Sequence, residues 1–319
     1  MTIRVGIIGT GWFGMKHAEL LAGMEGVRVA AFCGTSREKA ERAAQRFAGA
    51  AAYADVREML DGCKLDAAYI CVPPFAHGDM EKELAERGIP FLVEKPLGVD
   101  EETPTAIADL VERRGLITSV GYHFRYMDTV QSAKRWLEGR TVGMAVGGWM
   151  GSMPGVAWWR KTETSGGQFV EQTTHIVDLL RYMLGEVTEV FAAYARRANT
   201  PDATVADVGT VTLKLASGAV ASISNTCLIP SGGRAELHLY TDGGVAEIGP
   251  QSLRLLLPDQ TVETTGRRDP YRAENEAFIE AVRTGDASGI RSTYRDAWMT
   301  HRVTVAANRS AASGLPVRL

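Results

Sequence analysis

The fold of the first half of this chain is decided near its beginning, by the stretch Val5-Gly6-Ile7-Ile8-Gly9-Thr10-Gly11-Trp12-Phe13-Gly14. The apolar run before Gly9 predicts a buried strand, and the spacing after it predicts a helix over Trp12 to Met24. Gly9 permits a tight turn, Gly11 lets backbone amides approach an anion, and Gly14 allows the helix to pack closely on the strand. This order favours a dinucleotide-binding turn that holds a pyrophosphate over an empty glycine turn of another α/β fold.

Residues 4 to 122 continue the alternation of short Val- and Ile-rich runs with segments of helical period, which is typical of successive βα units. The predicted strands are Val5 to Ile8, Val27 to Cys33, Ala51 to Tyr53, Ala67 to Val72, Phe91 to Glu94 and Ile117 to Tyr122. Helices such as Arg37 to Phe47 and Asp79 to Arg87 separate them. The fold class is therefore α/β, with a doubly wound parallel sheet in a Rossmann domain over residues 1–122.

The pattern changes after a predicted helix from Asp128 to Leu137. Longer runs of alternating polarity, joined by turn signals, predict an α+β domain over residues 123–319 with a large, mostly antiparallel sheet. Its predicted strands are Val187 to Ala195, Gly209 to Leu215, Ala219 to Thr226 and Ala235 to Tyr240. Its predicted helices are Gly167 to Leu184, Tyr271 to Arg283 and Thr293 to Ala311.

Composition excludes several classes of partner. The chain has 319 residues, 45% hydrophobic residues and a formal net charge of -3, so it lacks the positive field that nucleic acids and anionic membranes attract. Its four cysteines show neither a C-x-x-C pair nor metal-ligand spacing with histidine, and we expect no disulfide and no metal. The N-terminus enters a strand pattern at once, and no run of about 18 apolar residues occurs. We therefore expect a cytoplasmic protein.

The end of the second predicted strand bears on the choice of dinucleotide. NAD sites place a carboxylate about 20 residues after the glycines, whereas this chain has Cys33-Gly34-Thr35-Ser36-Arg37 there. Two hydroxyls followed by an arginine can accept a 2′-phosphate, with Arg37 supplying charge-assisted hydrogen bonds. Thr35 or Ser36 can equally serve as the cap of the helix that follows, and the two interpretations can coexist. The segment favours NADP over NAD.

The strand Phe91 to Val93 ends in Glu94-Lys95-Pro96. Open α/β sheets bind their ligands at the carboxyl ends of strands, so this position favours a functional role. Pro96 keeps Lys95 out of helical conformation and can hold a cis bond, either of which fixes the direction of the ammonium group. The alternative is a solvated charged pair before a turn proline.

A second group of polar residues follows Gly166-Gly167. On a continuous helix Glu171, His175, Asp178 and Tyr182 share one stripe, since they are separated by four, three and four residues. A carboxylate beside a histidine can serve as a general base with an orienting partner. The alternative is the wet face of an amphipathic helix, with Phe169, Ile176 and Leu180 on the dry side.

These three signals together resemble the Gfo/Idh/MocA family of sugar and polyol oxidoreductases over nearly the whole chain. The resemblance implies NAD(P)-linked oxidation of a secondary hydroxyl and a second domain whose open sheet forms a homodimer or homotetramer. Lys95 would hydrogen-bond the reacting oxygen and the nicotinamide ribose, His175 would take the hydroxyl proton, and Glu171 would bind substrate or tune His175. Family members usually carry Asp where this chain has Glu171, which puts the substrate geometry in doubt, and an acid where it has Gly34.

Further segments complete the predicted site. The expected cofactor contacts beyond the glycine turn and residues 34–37 are Cys71, Val72, Pro73, Pro74, His77, Glu94, Lys95, Pro96 and Arg125. The expected substrate contacts are Lys95, His123, Trp158, Trp159, Arg160, Glu171 and His175. A tryptophan face flanked by donors suits a polyol ring, although core packing of one tryptophan is the competing interpretation.

The sequence thus predicts an NADP-preferring enzyme that acts on a sugar, inositol or related cyclic polyol. Two alternatives remain open at this point. One is a non-catalytic NADP-binding sensor that keeps the fold, since fold alone does not establish activity. The other is a redox-neutral, NAD-dependent glycosidase of the kind that the same family contains.

Overall fold

The computed structural model describes residues 2–198 and 200–319. The chain divides into two compact units. The first unit runs to Gly98 and includes Glu102–Gly121 and Tyr271–Asp296; the second comprises Val99–Glu101, Tyr122–Pro270 and Ala297–Leu319. The predicted domain boundary after residue 122 lies one residue from the end of the Glu102–Gly121 segment. The prediction divided the chain at a single point and therefore assigned Tyr271–Asp296 to the second domain, whereas the structure places it in the first unit.

The first unit is built on the expected six-stranded parallel sheet, in the order β3-β2-β1-β4-β5-β6. The strands are β1 (Ile3–Ile8), β2 (Val27–Cys33), β3 (Ala51–Tyr53), β4 (Ala67–Ile70), β5 (Phe91–Val93) and β6 (Thr118–Val120). The helices between them are α1 (Trp12–Ala22), α2 (Arg37–Ala44), α3 (Val56–Gly62), α4 (Asp79–Glu86) and α5 (Glu102–Arg114). The strand order reverses between β1 and β4, and such switch points are where open α/β sheets bind ligands.

The core of the first unit explains why a distant helix belongs to it. Val5, Ile7 and Phe32 from the sheet are fully buried in one cluster with Phe278 and Ile279. The last two residues lie on α10 (Pro270–Thr284). Complete burial of each such side chain stabilises the fold by about 1.5–3 kcal/mol, so α10 is an integral part of this unit.

The second unit contains a nine-stranded sheet in the order β14-β13-β12-β11-β7-β10-β9-β8-β15. The strands are β7 (Val142–Met150), β8 (Val187–Ala195), β9 (Val208–Leu215), β10 (Val220–Thr226), β11 (Arg234–Thr241), β12 (Gly244–Ile248), β13 (Ser252–Leu256), β14 (Thr261–Thr265) and β15 (Val317–Arg318). Only the β7–β10 pair is parallel among the described pairings. The prediction of a mostly antiparallel sheet is confirmed.

The other helices of the chain are α6 (Asp128–Leu137), α7 (Thr162–Ser165), α8 (Gln168–Glu171), α9 (Thr174–Leu184) and α11 (Tyr294–Ser313). Ile176 and Leu180 of α9 are fully buried in one cluster with Leu213, Ile223 and Leu237 of the sheet. The prediction of one continuous helix from Gly167 to Leu184 was wrong, because residues 172–173 form a turn between α8 and α9. Both residues keep αR backbone angles, but the Thr173 N–H donates to the carbonyl five residues back and the Ile176 N–H to the carbonyl three residues back. No helix in residues 2–198 or 200–319 has the length and apolarity needed to cross a membrane.

Candidate functional site

The glycine turn joins β1 to α1 in a geometry that only glycine allows. Gly9 has a φ of 106°, and a Cβ there would lie 2.1 Å from the carbonyl oxygen of Cys71. A Cβ on Gly14 would lie 2.1 Å from the carbonyl oxygen of Gly9. Both obstacles are backbone atoms, so neither position accepts a side chain without moving the turn.

Gly11 is glycine for a different reason. It caps α1 with no side-chain hydrogen bond, and a Cβ there would meet no protein atom within 4 Å. The first turn of α1 therefore keeps free N–H groups for an anion. Gly9, Thr10 and Gly11 line a groove of about 780 Å³, a volume typical of cofactor sites. The turn and the groove fit a dinucleotide with its pyrophosphate at Gly11.

The groove brings together three of the predicted cofactor segments. Its lining includes Gly9, Thr10, Gly11, Gly34, Thr35, Cys71, Val72 and Pro73. Trp12 and Phe13 lie outside this lining, packed edge to face with ring centroids 4.7 Å apart, and Trp12 is exposed. Pro74 is buried at the start of the short 3-10 helix Pro74–Ala76.

The end of β2 places a different cation in the groove from the one the sequence suggested. Arg37 is exposed, pairs with Glu41 at 3.2 Å and is not part of the groove lining. Ser36 accepts a hydrogen bond from the Lys39 backbone N–H and caps α2. Lys39 lines the groove, and its Nζ donates to Thr35 Oγ1 at 2.9 Å. Sequence reasoning missed Lys39, although its four-residue spacing from Thr35 was a usable signal.

His77 is buried against Glu81 rather than lining the groove. Its Nδ1 lies 2.6 Å from Glu81 Oε1, and Glu81 Oε2 accepts the Gly78 N–H at 2.7 Å. Burial alone would raise the pKa of Glu81, but the charge and hydrogen bond of His77 lower it overall. His77 and Glu81 together stabilise the start of α4.

The Glu94-Lys95-Pro96 turn follows β5 and is buried. Glu94 is 5% exposed and Lys95 9% exposed, so the interpretation as a solvated charged pair was wrong. The Lys95–Pro96 peptide bond is cis, as the sequence allowed. Glu94 Oε1 lies 3.0 Å from Nε2 of His17, a fully buried histidine on α1 that sequence reasoning did not single out.

In the second unit, His175 and Asp178 of the predicted polar stripe are buried, whereas Glu171 and Tyr182 are half-buried. Asp178 has no exposed surface, and its carboxylate accepts two hydrogen bonds from Arg125, at 2.8 and 2.6 Å. Arg181 and Thr300 extend the network, since Thr300 donates to Asp178 and accepts from Arg181. Arg125, predicted to contact the cofactor, is therefore engaged in a buried ion pair.

His175 lies near the start of α9 and is 5% exposed. Its ring stacks against Phe124 and Trp149, at centroid distances of 4.9 and 5.8 Å. Tyr122 and His123 approach the same ring edge-on, at 5.9 and 5.0 Å. Histidine is the side chain that serves most often as a general acid or base, so an imidazole held in this way is a suitable proton-transfer group.

Glu171 is held in place by a tryptophan. Trp159 Nε1 donates to Glu171 Oε2 at 2.6 Å, and Trp159 is 1% exposed. The hypothesis of a sugar-stacking tryptophan therefore does not apply to Trp159, whose ring is in the core; Trp158 is half-buried. Arg160 is half-buried as well, and its Nε has no hydrogen-bond partner among the described residues.

The fold and these sites define a class, that of two-domain, dinucleotide-dependent oxidoreductases. Two family models match the chain: the Gfo/Idh/MocA oxidoreductase family with an NAD-binding Rossmann fold over residues 3–122, and the C-terminal domain of that family over residues 131–247. The protein belongs to the Gfo/Idh/MocA family, and it is an oxidoreductase that acts on CH-OH groups.

Named relatives extend over nearly the full chain. The scyllo-inositol 2-dehydrogenase (NAD(+)) of Bacillus subtilis is 28% identical over 99% of this chain and 96% of its own. An inositol 2-dehydrogenase of Rhizobium meliloti is 28% identical over 89% and 90%. The solved structure of a putative myo-inositol dehydrogenase from Sinorhizobium meliloti 1021 superimposes with a TM-score of 0.83, at 25% identity over 99% of each chain.

Proposed function

We propose that the protein is an NADP-preferring dehydrogenase or reductase for a secondary hydroxyl or ketone of a sugar, inositol or related cyclic polyol. The observation that carries this proposal is the buried imidazole of His175, a proton-transfer group among aromatic rings. The names of the inositol dehydrogenase relatives support the substrate class. The groove at Gly11 supports the cofactor class.

The residues predicted from the sequence have the following proposed roles. A bound nicotinamide cofactor would supply the hydride chemistry. His175 accepts the proton of the substrate hydroxyl, and Lys95 donates a hydrogen bond to the reacting oxygen. Glu171 binds a neighbouring hydroxyl, with its carboxylate held by Trp159. His123, Trp158 and Arg160 are further proposed substrate contacts, and the unpaired Nε of Arg160 is a donor suited to a polyol oxygen.

Lys39 is the basis of the proposed preference for NADP. Its ammonium lines the groove beside Thr35, and no described carboxylate pairs with it. A Cβ on Gly34 would lie within 3.3 Å of the Ser36 carbonyl oxygen and the Ala40 backbone nitrogen, so the usual ribose-binding acid does not fit without a backbone shift. Asp55 also lines the groove, but its carboxylate already accepts the Glu58 N–H at 3.0 Å as the cap of α3.

Fluorescence titration of the apo protein with NADPH and NADH tests this preference. We expect NADPH to bind more tightly, and Lys39→Ala to weaken NADPH binding about tenfold or more while changing NADH binding little, because a charge-assisted hydrogen bond contributes about 1.5–3 kcal/mol. Arg37→Ala is the matched control and should leave both affinities within about twofold. Tenfold tighter binding of NADH than of NADPH would refute the proposed preference for NADP. A preference for NADPH that is lost in Arg37→Ala would refute the role proposed for Lys39. A sugar and polyol screen with the tighter cofactor then identifies the substrate.

We also propose that the protein assembles as a homodimer or homotetramer through the open face of the nine-stranded sheet. Val220, Met144 and Tyr240 are direct neighbours on β10, β7 and β11, and each is 37–44% exposed. Val146 and Phe191 are exposed apolar residues of the same sheet. A contiguous apolar surface of this kind on a folded domain is typical of a protein interface.

A further inference from the structure

Three buried side chains form a hydrogen-bonded row in the first unit, next to the Lys95 turn. His17 Nδ1 lies 3.0 Å from Asn275 Oδ1, and His17 Nε2 lies 3.0 Å from Glu94 Oε1. His17 and Asn275 have no exposed surface, and Glu94 is 5% exposed. The row joins α1, which begins directly after the glycine turn, to Glu94, the residue directly before Lys95.

The orientation of the Asn275 amide fixes one proton of His17. Asn275 Nδ2 donates to the carbonyl oxygen of Tyr271 at 2.7 Å. The amide oxygen therefore faces His17, and Nδ1 of His17 must be the donor, because an amide oxygen only accepts.

The other ring nitrogen faces an acceptor as well. In a neutral histidine with its proton on Nδ1, Nε2 carries a lone pair. Directed at an ionised carboxylate 3.0 Å away, that lone pair would repel Glu94 inside the protein. The Nε2–Oε1 contact therefore needs a proton of its own, and that proton resides on His17 because an imidazole is a stronger base than a carboxylate.

We propose that His17 carries a proton on both ring nitrogens and forms a buried imidazolium–carboxylate pair with Glu94, and that this pair positions Lys95. The role assigned to Lys95 rests on the proposed function; the protonation of His17 does not. A buried carboxylate is costly unless a cation or hydrogen bonds compensate it, and His17 is the cation that faces Glu94.

The geometry also confines Glu94 from its other side. A Cβ added to Gly121 would lie 2.6 Å from Glu94 Oε2, so the carboxylate packs directly against the Gly121 backbone. Glu94 is therefore held between His17 and the Gly121 backbone, and these contacts anchor the residue directly before Lys95.

Nitrogen NMR of the histidine rings in the apo protein tests the protonation directly, without cofactor or substrate. We expect His17, assigned by loss of its signals in His17→Gln, to show two protonated ring nitrogens at neutral pH. In Glu94→Gln the new amide can donate to Nε2 and keep every hydrogen bond, so the ring should become neutral with its proton on Nδ1. A neutral His17 ring in the wild type would overturn the proposal, whatever the enzyme is found to catalyse.

A double-mutant cycle tests the positioning role. His17→Gln leaves the Glu94 charge uncompensated, and we expect kcat to fall about tenfold or more while the Kd for cofactor changes less. Adding Glu94→Gln removes that charge and should restore kcat by about tenfold, or about 1.4 kcal/mol, relative to His17→Gln alone. Additive losses in the double variant would show that the pair does not act as a charge-compensated unit and would overturn the positioning role. If His17→Gln does not fold, the free energy of unfolding replaces kcat as the measured quantity. We then expect the double variant to fold, because it lacks the uncompensated Glu94 charge.

Discussion

At the scale of single residues, the second unit holds its proposed reactive groups through buried contacts. Trp159 fixes Glu171 through its indole N–H, and the aromatic rings around His175 restrict the orientation of the imidazole. Such contacts matter because a reacting group must be held close to its productive position before the substrate arrives. They also restrict the acid at residue 171, since its Oε2 already accepts a hydrogen bond from Trp159.

Trp159→Phe should lower kcat/KM about 10- to 100-fold. The substitution keeps an aromatic ring in the core but removes the donor to Glu171, and a hydrogen bond to a charged group contributes about 1.5–3 kcal/mol. Steady-state kinetics measure the loss, and cofactor affinity should stay unchanged because Trp159 lies in the second unit. Trp158→Phe is the matched control. Equal kinetics for wild type and Trp159→Phe would show that this bond does not position Glu171 for catalysis.

Single residues were predicted from sequence where a backbone constraint decides their identity. The roles of Gly9 and Gly14 could be predicted because the turn requires glycine at both positions, where backbone atoms occupy the space that a Cβ would need. Lys39 and His17 were missed because their significance depends on which atoms face them. The spacing of Lys39 from Thr35 shows that the two side chains can meet, but not that they line a groove. A histidine on a buried helix face has no sequence signature that separates function from packing.

At the scale of elements, the break between α8 and α9 separates Glu171 from His175. The sequence suggested one helix with a shared stripe, yet a turn at residues 172–173 interrupts the regular helical hydrogen bonds. The stripe persists in part on α9, where Asp178 faces Arg125 in the core. A period of 3.6 residues shows that a face is polar, but not whether that face meets water or a buried arginine.

Asp178→Ala should destabilise the protein by about 3–5 kcal/mol, because it leaves the Arg125 guanidinium buried without its carboxylate. Chemical denaturation followed by circular dichroism measures the shift in midpoint. Glu41→Ala, which removes the exposed partner of Arg37, serves as a control and should change the free energy of unfolding by less than about 1 kcal/mol. A similar small change for Asp178→Ala would mean that water or another group satisfies Arg125.

The strands of the second unit show the limits of element prediction. The long strands β8 to β11 were predicted closely, because each buries one face and alternates in polarity. The other strands of this sheet, β7, β12, β13, β14 and β15, were missed. All five residues of β14 are exposed, so no buried face imposes a period of two. Pairing with β13 alone defines that strand.

At the scale of the whole molecule, the open face of the nine-stranded sheet carries the proposed assembly. Val220→Glu should weaken self-association about 10- to 100-fold, since it places a charge beside Met144 in the centre of the apolar row. Light scattering coupled to size-exclusion chromatography measures the molecular mass of the assembly for the wild type and each variant. Val262→Glu introduces the same charge at another exposed valine, on β14, and should leave the assembly intact. A monomeric wild type, or dissociation caused equally by both variants, would contradict the proposed interface.

We propose that this family member oxidises cyclic polyols and that its activity requires the side chains of Lys95 and His175. The most direct measurement is the rate of NADPH formation with inositols and sugars by the wild type, Lys95→Ala and His175→Ala, alongside cofactor titrations of all three. We expect turnover by the wild type, losses of about 100-fold or more in each variant, and cofactor binding retained in both. Substantial activity in either variant, or no cofactor reduction by the wild type with any polyol, would contradict the account.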